Sequence, residues 1–340
     1  MGEMDPAHNS SDLRLNMRLL PFKPVELVPH GTKFSFVAHQ RLAIIETIVL
    51  GLITIVLLST LGLNYGIDFR GGTLMEVRFT KATPDLVDLR SRLSALGLGD
   101  VQIQEFGAVN DLMIRVEEQP GGEPAQQEAV RKVQAALGKD IDLRRTEVVG
   151  AVVSQELLQS SVIALSIAAV GIFLYLWLRF EWQFSVSAIV ALLHDIAFTL
   201  CVLSIFQIDF DLTIVAALLT LIGYAVNDTV VTFDRVRENL RKYKQMPLGD
   251  LIDLSVNETL SRTVMTAGAV LLTVLSLFLF GGEVIRGFTL TMLVGMAVSS
   301  YTSFFVAAPL LYTFGTKRDW SGVEAPKPRG SSVRKKAVDA

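Results

Sequence analysis

Six stretches of this chain are almost free of charge, and no other feature constrains its fold as strongly. Residues 47–67, 157–178, 264–282 and 287–316 contain no Asp, Glu, Lys or Arg. Residues 182–208 and 212–233 carry one carboxylate each, Asp195 and Asp228. A helix spanning a bilayer needs about 20 mostly apolar residues, and lengths from roughly 17 to 25 are tolerated. All six stretches qualify. The sequence therefore predicts a polytopic α-helical membrane protein with six transmembrane helices, at about 42–63, 157–178, 184–206, 212–233, 264–282 and 287–314. The apolar fraction of the whole chain, 51%, hides this segregation, since soluble domains themselves run to about 45–50%.

Several classes fall away at once. A soluble enzyme does not carry six such segments. Cys201 is the one cysteine, so no disulfide forms within the chain. An isoelectric point near 5.9 gives no basic footprint for nucleic acid. The first 40 residues hold no apolar run of signal-peptide length, so the first span is expected to be retained as an anchor.

Lys and Arg set the orientation. The N-terminal tail 1–41 carries five of them, the link after the second span has Arg179, the link between spans four and five has six, and the tail 315–340 has seven. The alternate links are nearly bare, with none in 207–211 and one in 283–286. Short basic loops stay in the cytoplasm, which puts both termini there and residues 64–156 outside, in the periplasm of a Gram-negative cell. That long segment carries 11 Lys/Arg, but loops of its length translocate largely regardless of charge.

The external segment is long enough for one small domain. Residues 73–79 alternate as a strand. Pro84 opens a helical pattern through Leu86, Leu89, Leu93 and Leu96, stopped by Gly97. Residues 101–106 and 112–116 read as a hairpin across 107–111. A break at 121–124 precedes a second helix bearing Ala129, Val133 and Leu137, and 143–149 forms a fourth strand. The order β-α-β-β-α-β is that of a ferredoxin-like α+β domain, here placed between helices 1 and 2. Just before its first strand sits GIDFRGG, with Gly66, Asp68, Gly71 and Gly72. Its three glycines suit a turn that admits positive φ. A phosphate loop is the lesser reading, because neither GxGxxG spacing nor a Walker lysine is present.

Charges inside a membrane are costly and mark functional candidates. Asp195, preceded by His194, lies about 16 Å into the third span at ~1.5 Å per residue, close to the midplane. Asp228 lies in the cytoplasmic half of the fourth span, at a depth that Arg262 reaches by snorkelling from the fifth. The plainer readings are a passive hydrogen-bonded pair for His194–Asp195 and a static ion pair holding spans four and five in register for Asp228–Arg262. Arg235, Arg237 and Glu238 read as interfacial charges. Residues 247–261 read as an amphipathic helix on the cytoplasmic surface. In span six, Gly295, Ser299, Ser303 and Ala307 recur every fourth residue, a stripe that lets helices approach closely. Left unpaired in a six-helix half, it is expected to pack against a partner.

Two membrane aspartates also suggest an intramembrane aspartyl protease. The residues before Asp228 are Ala225, Val226 and Asn227, so that family's Gly-x-Gly-Asp is absent. His194-Asp195 has no second cluster to complete a metal-dependent phosphohydrolase, and no metal site is expected.

Together GIDFRGG, LLHDI, GYAVNDTVVTFDRVREN, ETLSRTVMTAG and LFLFGG resemble the SecF family, the smaller subunit of the SecDF protein-translocase accessory complex in the RND superfamily. The resemblance covers about residues 41–315. It implies an inner-membrane subunit without catalytic site or cofactor, which forms a heterodimer with SecD. It further implies work beside the SecYEG channel, in the company of YajC and YidC, using the proton-motive force to draw an unfolded preprotein outward. The family's membrane aspartate and arginine fall on Asp228 and Arg262, and Asp195 falls in a recurrent stretch. The alternative is a half-subunit of another RND-type exporter of small molecules or lipids.

Overall fold

The computed structural model describes residues 32–81, 84–99, 101–138 and 140–316. Most of the N-terminal tail and the basic tail from 317 onward lie outside the described residues. After a 3-10 turn at Val37–His39, α1 (Gln40–Thr60) leads to a two-residue strand β1 (Asn64–Tyr65) and a single helical turn α2 (Ile67–Arg70). The external domain follows as β2 (Gly72–Phe79), α3 (Leu86–Ser94), β3 (Val101–Phe106), β4 (Ala108–Val116), α4 (Glu123–Leu137) and β5 (Ile141–Val149). The chain then returns through α5 (Ala151–Arg179), α6 (Trp182–Ile205), a second short strand β6 (Asp209–Phe210), α7 (Leu212–Lys242) and α8 (Leu248–Phe280). It ends in α9 (Arg286–Thr302), a π-helical turn at Ser303–Ala307, and α10 (Ala308–Phe314).

Among the described residues six helices are long and apolar enough to cross a membrane, and each coincides with a charge-poor stretch. They are not equivalent. Half or more of the apolar window of α6, α7 and α9–α10 is buried, against 11–17% for α1, α5 and α8. The first three form the centre of the bundle, and the others present apolar faces to lipid or a partner. Phe233 and Val236 of α7 meet Phe180, Phe184, Leu251, Ile252 and Phe304 in a core near one end of the bundle.

The domain sheet runs β3-β4-β2-β5, with every neighbouring pair antiparallel, as a ferredoxin-like split βαβ requires. Its inward residues, Met75, Val77, Ile103, Leu112, Ile114 and Val116, close on Leu89 and Leu93 of α3 and Ala129 and Val133 of α4. Asp85 caps α3 by accepting from Val87 N at 2.9 Å, leaving Pro84 just outside the helix. On the opposite face Arg78 forks onto Asp111 across the β2–β4 pair. That guanidinium holds the Asp111 carboxyl below the usual carboxylate range, against the opposing effect of burial.

Four expectations need correction. The β3–β4 connection is Gly107 alone, at φ +82°, because β4 begins at Ala108 rather than at 112. Pro124 belongs to the first turn of α4, where its missing N–H costs nothing. Residues 247–261 do not form a separate surface helix. They open the 33-residue α8, which runs unbroken into the fifth span. Leu251, Ile252, Ser255 and Val256, apolar or small at helical spacing, are buried against α7 instead of headgroups. Finally, the span-six stripe is already occupied. A Cβ on Gly295 would lie within 3 Å of the side chain of Leu221 on α7, and Ser299 and Ser303 are buried within the chain.

Candidate functional site

Asp228 is 5% exposed, and its Oδ2 has no hydrogen-bond partner. Tyr224 and Thr232 lie one turn to either side on the same face of α7; the Thr232 hydroxyl is also buried without a partner, and that of Tyr224 lies beside Ser300. Two unfilled oxygens in one stripe are unusual, since buried polar groups are ordinarily satisfied. Arg262 of α8 is exposed and close enough to act electrostatically on Asp228, yet no ion pair within bonding distance joins them among the described residues.

A different group holds α7 to α8. Arg235 Nε donates to Glu258 Oε2 at 2.6 Å and Arg235 Nη1 to Glu238 at 2.6 Å. Asn239 Nδ2 donates to the same Glu258 oxygen at 2.7 Å and to Ser255 at 3.0 Å. The sequence marks Arg235 and Glu238 as interfacial charges but offers no local sign that Glu258, 23 residues beyond Arg235, completes the clamp.

Asp195 lies elsewhere. It is 2% exposed on α6, beside the hydroxyls of Ser299 and Thr302, and no contact brings it to Asp228. His194 Nδ1 sits 3.2 Å from Thr302 Oγ1 and 3.6 Å from Asp195 Oδ1. Among the described residues no group of three or more His, Cys, Asp or Glu is arranged to hold a metal.

GIDFRGG forms a joint rather than a simple turn. β1 pairs in parallel with β6, and Gly66 N donates to Phe210 O at 2.9 Å. Gly66 itself has φ −68°, so its small size is used against Asp211, whose Cβ would lie 3.2 Å from an added methyl. Asp68 Oδ2 accepts from Leu212 N at 2.9 Å, and Asp211 Oδ1 accepts from Ile214 N at 3.0 Å. Two carboxylates thus cap the first turn of α7, where the helix dipole favours negative charge. Arg115 of β4 adds an ion pair to Asp209 at 2.9 Å. Gly72, at φ +113°, lets β2 start against the end of β4. Glu118, just past that end, accepts from Ala151 N at the start of α5 at 2.9 Å. The domain is therefore fastened directly to the helix that carries Asp228.

Known proteins are similar to this chain. The family described as "Protein export membrane protein SecD/SecF, C-terminal" matches residues 129–317, and the "SecD/SecF GG Motif" matches residues 56–83. The SecF protein translocase subunit of Cereibacter sphaeroides is 43% identical over 304 residues, covering 86% of this chain and 93% of that protein. The SecDF subunit of Brucella abortus is 39% identical, covering 88% of this chain but 39% of its own length. The crystal structure of SecDF from Thermus thermophilus superposes with a TM-score of 0.77 at 30% identity, over 89% of this chain and 41% of that one. A SecDF structure in a super-membrane-facing form gives 0.59. The chain spans about two-fifths of the fused SecDF proteins it matches and nearly all of the separate SecF subunits, and it belongs to the SecD/SecF family of protein export membrane proteins, on its SecF side.

Proposed function

We propose that this multi-pass membrane protein is the SecF half of a proton-driven accessory to the Sec preprotein translocase. The observation that carries the reading is Asp228, buried with an unfilled oxygen beside a guanidinium that does not bond it. Burial penalises the charged carboxylate, while Arg262 stabilises it. The group alternates between a charged state drawn toward Arg262 and a neutral state released from it. Each state favours a different packing of α7 against α8, the two-state element a transport cycle needs. A proton crossing the full potential supplies about 2.3 kcal/mol per 100 mV, enough to bias such an equilibrium roughly fifty-fold.

The joint gives this repacking an outlet. A shift of α7 moves Leu212, and Asp68 and Arg115 carry that shift into the sheet without ATP outside. Relatives in which both halves are fused support a SecD partner, with which the weakly buried α8 and its Arg262 form the shared face. The basic links put both termini in the cytoplasm and the domain in the periplasm. There it holds an emerging unfolded preprotein, next to SecYEG with YajC and YidC. The small-molecule exporter reading finds no support in relatives named as protein translocase subunits.

The test is export in cells depleted of this chain. Wild type is expected to restore preprotein processing and to co-purify with its SecD partner. Asp228→Asn is expected to assemble equally well and to restore nothing. Full restoration by Asp228→Asn refutes the proton-coupled role, and failure of the wild type refutes the export role itself.

A further inference from the structure

One turn of α9, Ser299-Ser300-Tyr301-Thr302, carries a hydroxyl at every position, and together the four reach three separate titratable groups. Ser299 and Thr302 flank the Asp195 carboxylate. Thr302 also reaches His194 Nδ1 at 3.2 Å. Tyr301 donates to Glu46 Oε2 of α1 at 2.7 Å, and the other Glu46 oxygen lies 3.8 Å from His194 Nε2. Ser300 stands beside Tyr224 of α7, which belongs to the Asp228 stripe. His194 Nε2 and Asp195 Oδ1 are both buried without a hydrogen-bond partner. A carboxylate and an imidazole this deep, each with an open valence, have the chemistry of a proton site rather than of a closed structural pair.

We propose that Asp195, His194 and Glu46, held by the hydroxyls of Ser299, Tyr301 and Thr302, form a second proton-holding site, separate from Asp228 and read by the same turn of α9. The proton taken up resides on Asp195 Oδ1, beside the His194 ring whose Nε2 lies 3.8 Å from Glu46. α7 packs on α9 and brings Tyr224 beside Ser300, α8 packs on α9 and carries Arg262, α10 packs on α6 and α1 and carries Tyr312, and α1 carries Arg41 besides Glu46, whereas α5 has no titratable residue between Leu157 and Leu174 and the π-helical turn has none. That turn begins directly after Thr302. Single π turns inside helices recur at functional sites, and this one sits where a change at Thr302 alters the register of α9 against α6 and α1. The site's use in export rests on the proposed proton coupling, but its occupancy by a proton does not.

The experiment uses the full chain with its SecD partner in liposomes and follows the carboxylic-acid infrared band from about pH 8 to about pH 5. A protonated-carboxyl band is expected that Asp195→Asn removes and Asp228→Asn leaves in place. His194→Gln and Thr302→Val are expected to move its midpoint, and Thr302→Val, which keeps the shape, serves if Asp195→Asn does not fold. In the translocation assay Asp195→Asn and Thr302→Val are expected to reduce gradient-dependent stimulation by about 2- to 30-fold, the range of residues within a coupled network. A spectrum unchanged by Asp195→Asn, or a midpoint unmoved by both His194→Gln and Thr302→Val, overturns the site. Stimulation lost in Asp228→Asn but intact in Asp195→Asn overturns its place in coupling. Stimulation intact in Asp228→Asn overturns the proposed function instead.

Discussion

Replacing Gly72 by alanine strikes the joint at its tightest point. The added Cβ would lie 2.4 Å from the carbonyl oxygen of Val116, far inside an ordinary nonbonded contact of about 3.5–4.0 Å. The obstacle is backbone, so no side chain can swing aside. Holding a residue with a Cβ at φ +113° costs about 1–3 kcal/mol, and forcing the strand ends apart costs about 1–3 kcal/mol more. The sum, about 2–6 kcal/mol, is a large part of the 5–15 kcal/mol that holds a typical domain together. Hydrogen exchange on the intact complex reads the loss locally. Amides of β2 and β4 are expected to exchange at least about 30-fold faster, as an opening free energy lowered by ~2 kcal/mol requires. Gly66→Ala, at φ −68° and 3.2 Å from Asp211 Cβ, needs a shift of only a few tenths of an ångström and is expected to cost under about 1.5 kcal/mol. Equal protection in wild type and Gly72→Ala would refute the close approach and the joint built on it.

Arg262→Lys is expected to keep most gradient-driven export and Arg262→Met to lose it, because an exposed guanidinium acting at a distance works as a point charge; equal loss in both points to a bidentate contact. Glu258→Gln removes the partner that Arg235 and Asn239 share, and purified protein is expected to lose about 0.5–1.5 kcal/mol in thermal unfolding while export keeps its gradient dependence. In the external domain, the depressed Asp111 carboxyl contributes stability present above the ordinary aspartate value of about 3.9 and lost as pH falls through the lower folded value. Asp111→Asn is expected to flatten that acid limb of the domain's unfolding curve, and an unchanged limb shows that Arg78 does not matter there.

The spans were legible because excluding charge from hydrocarbon leaves a mark on every residue of a stretch. The domain was legible for the same reason at period two and at helical spacing. Where the reading slipped, two environments ask for one pattern. The apolar stripe of residues 248–260 suits headgroups as well as a neighbouring helix, and only packing against Phe233 and Val236 decides. Glu46 escaped notice because the charge-free window starts at residue 47, although the expected span 42–63 already contained that carboxylate, as α1 from Gln40 does. Asp228 and Arg262 stood out through the cost of charge in a membrane. The clamp between Arg235 and Glu258 and the cap from Asp68 onto α7 did not, since each joins residues far apart in sequence through ordinary polar side chains. The small-residue stripe was visible, but which helix fills it is a property of the fold.

The measurement closest to the central claim is preprotein translocation into inverted membrane vesicles, with and without an imposed proton gradient, for wild type and Asp228→Asn at equal amounts of assembled complex. A neutral side chain of the same shape cannot alternate between the paired and released states, so the ~2.3 kcal/mol available per 100 mV has nothing to act on. Wild type is expected to translocate faster when the gradient is present, and Asp228→Asn to proceed at the gradient-free rate under both conditions. Full gradient-dependent stimulation in Asp228→Asn would contradict the account and leave Asp228 with a structural role only.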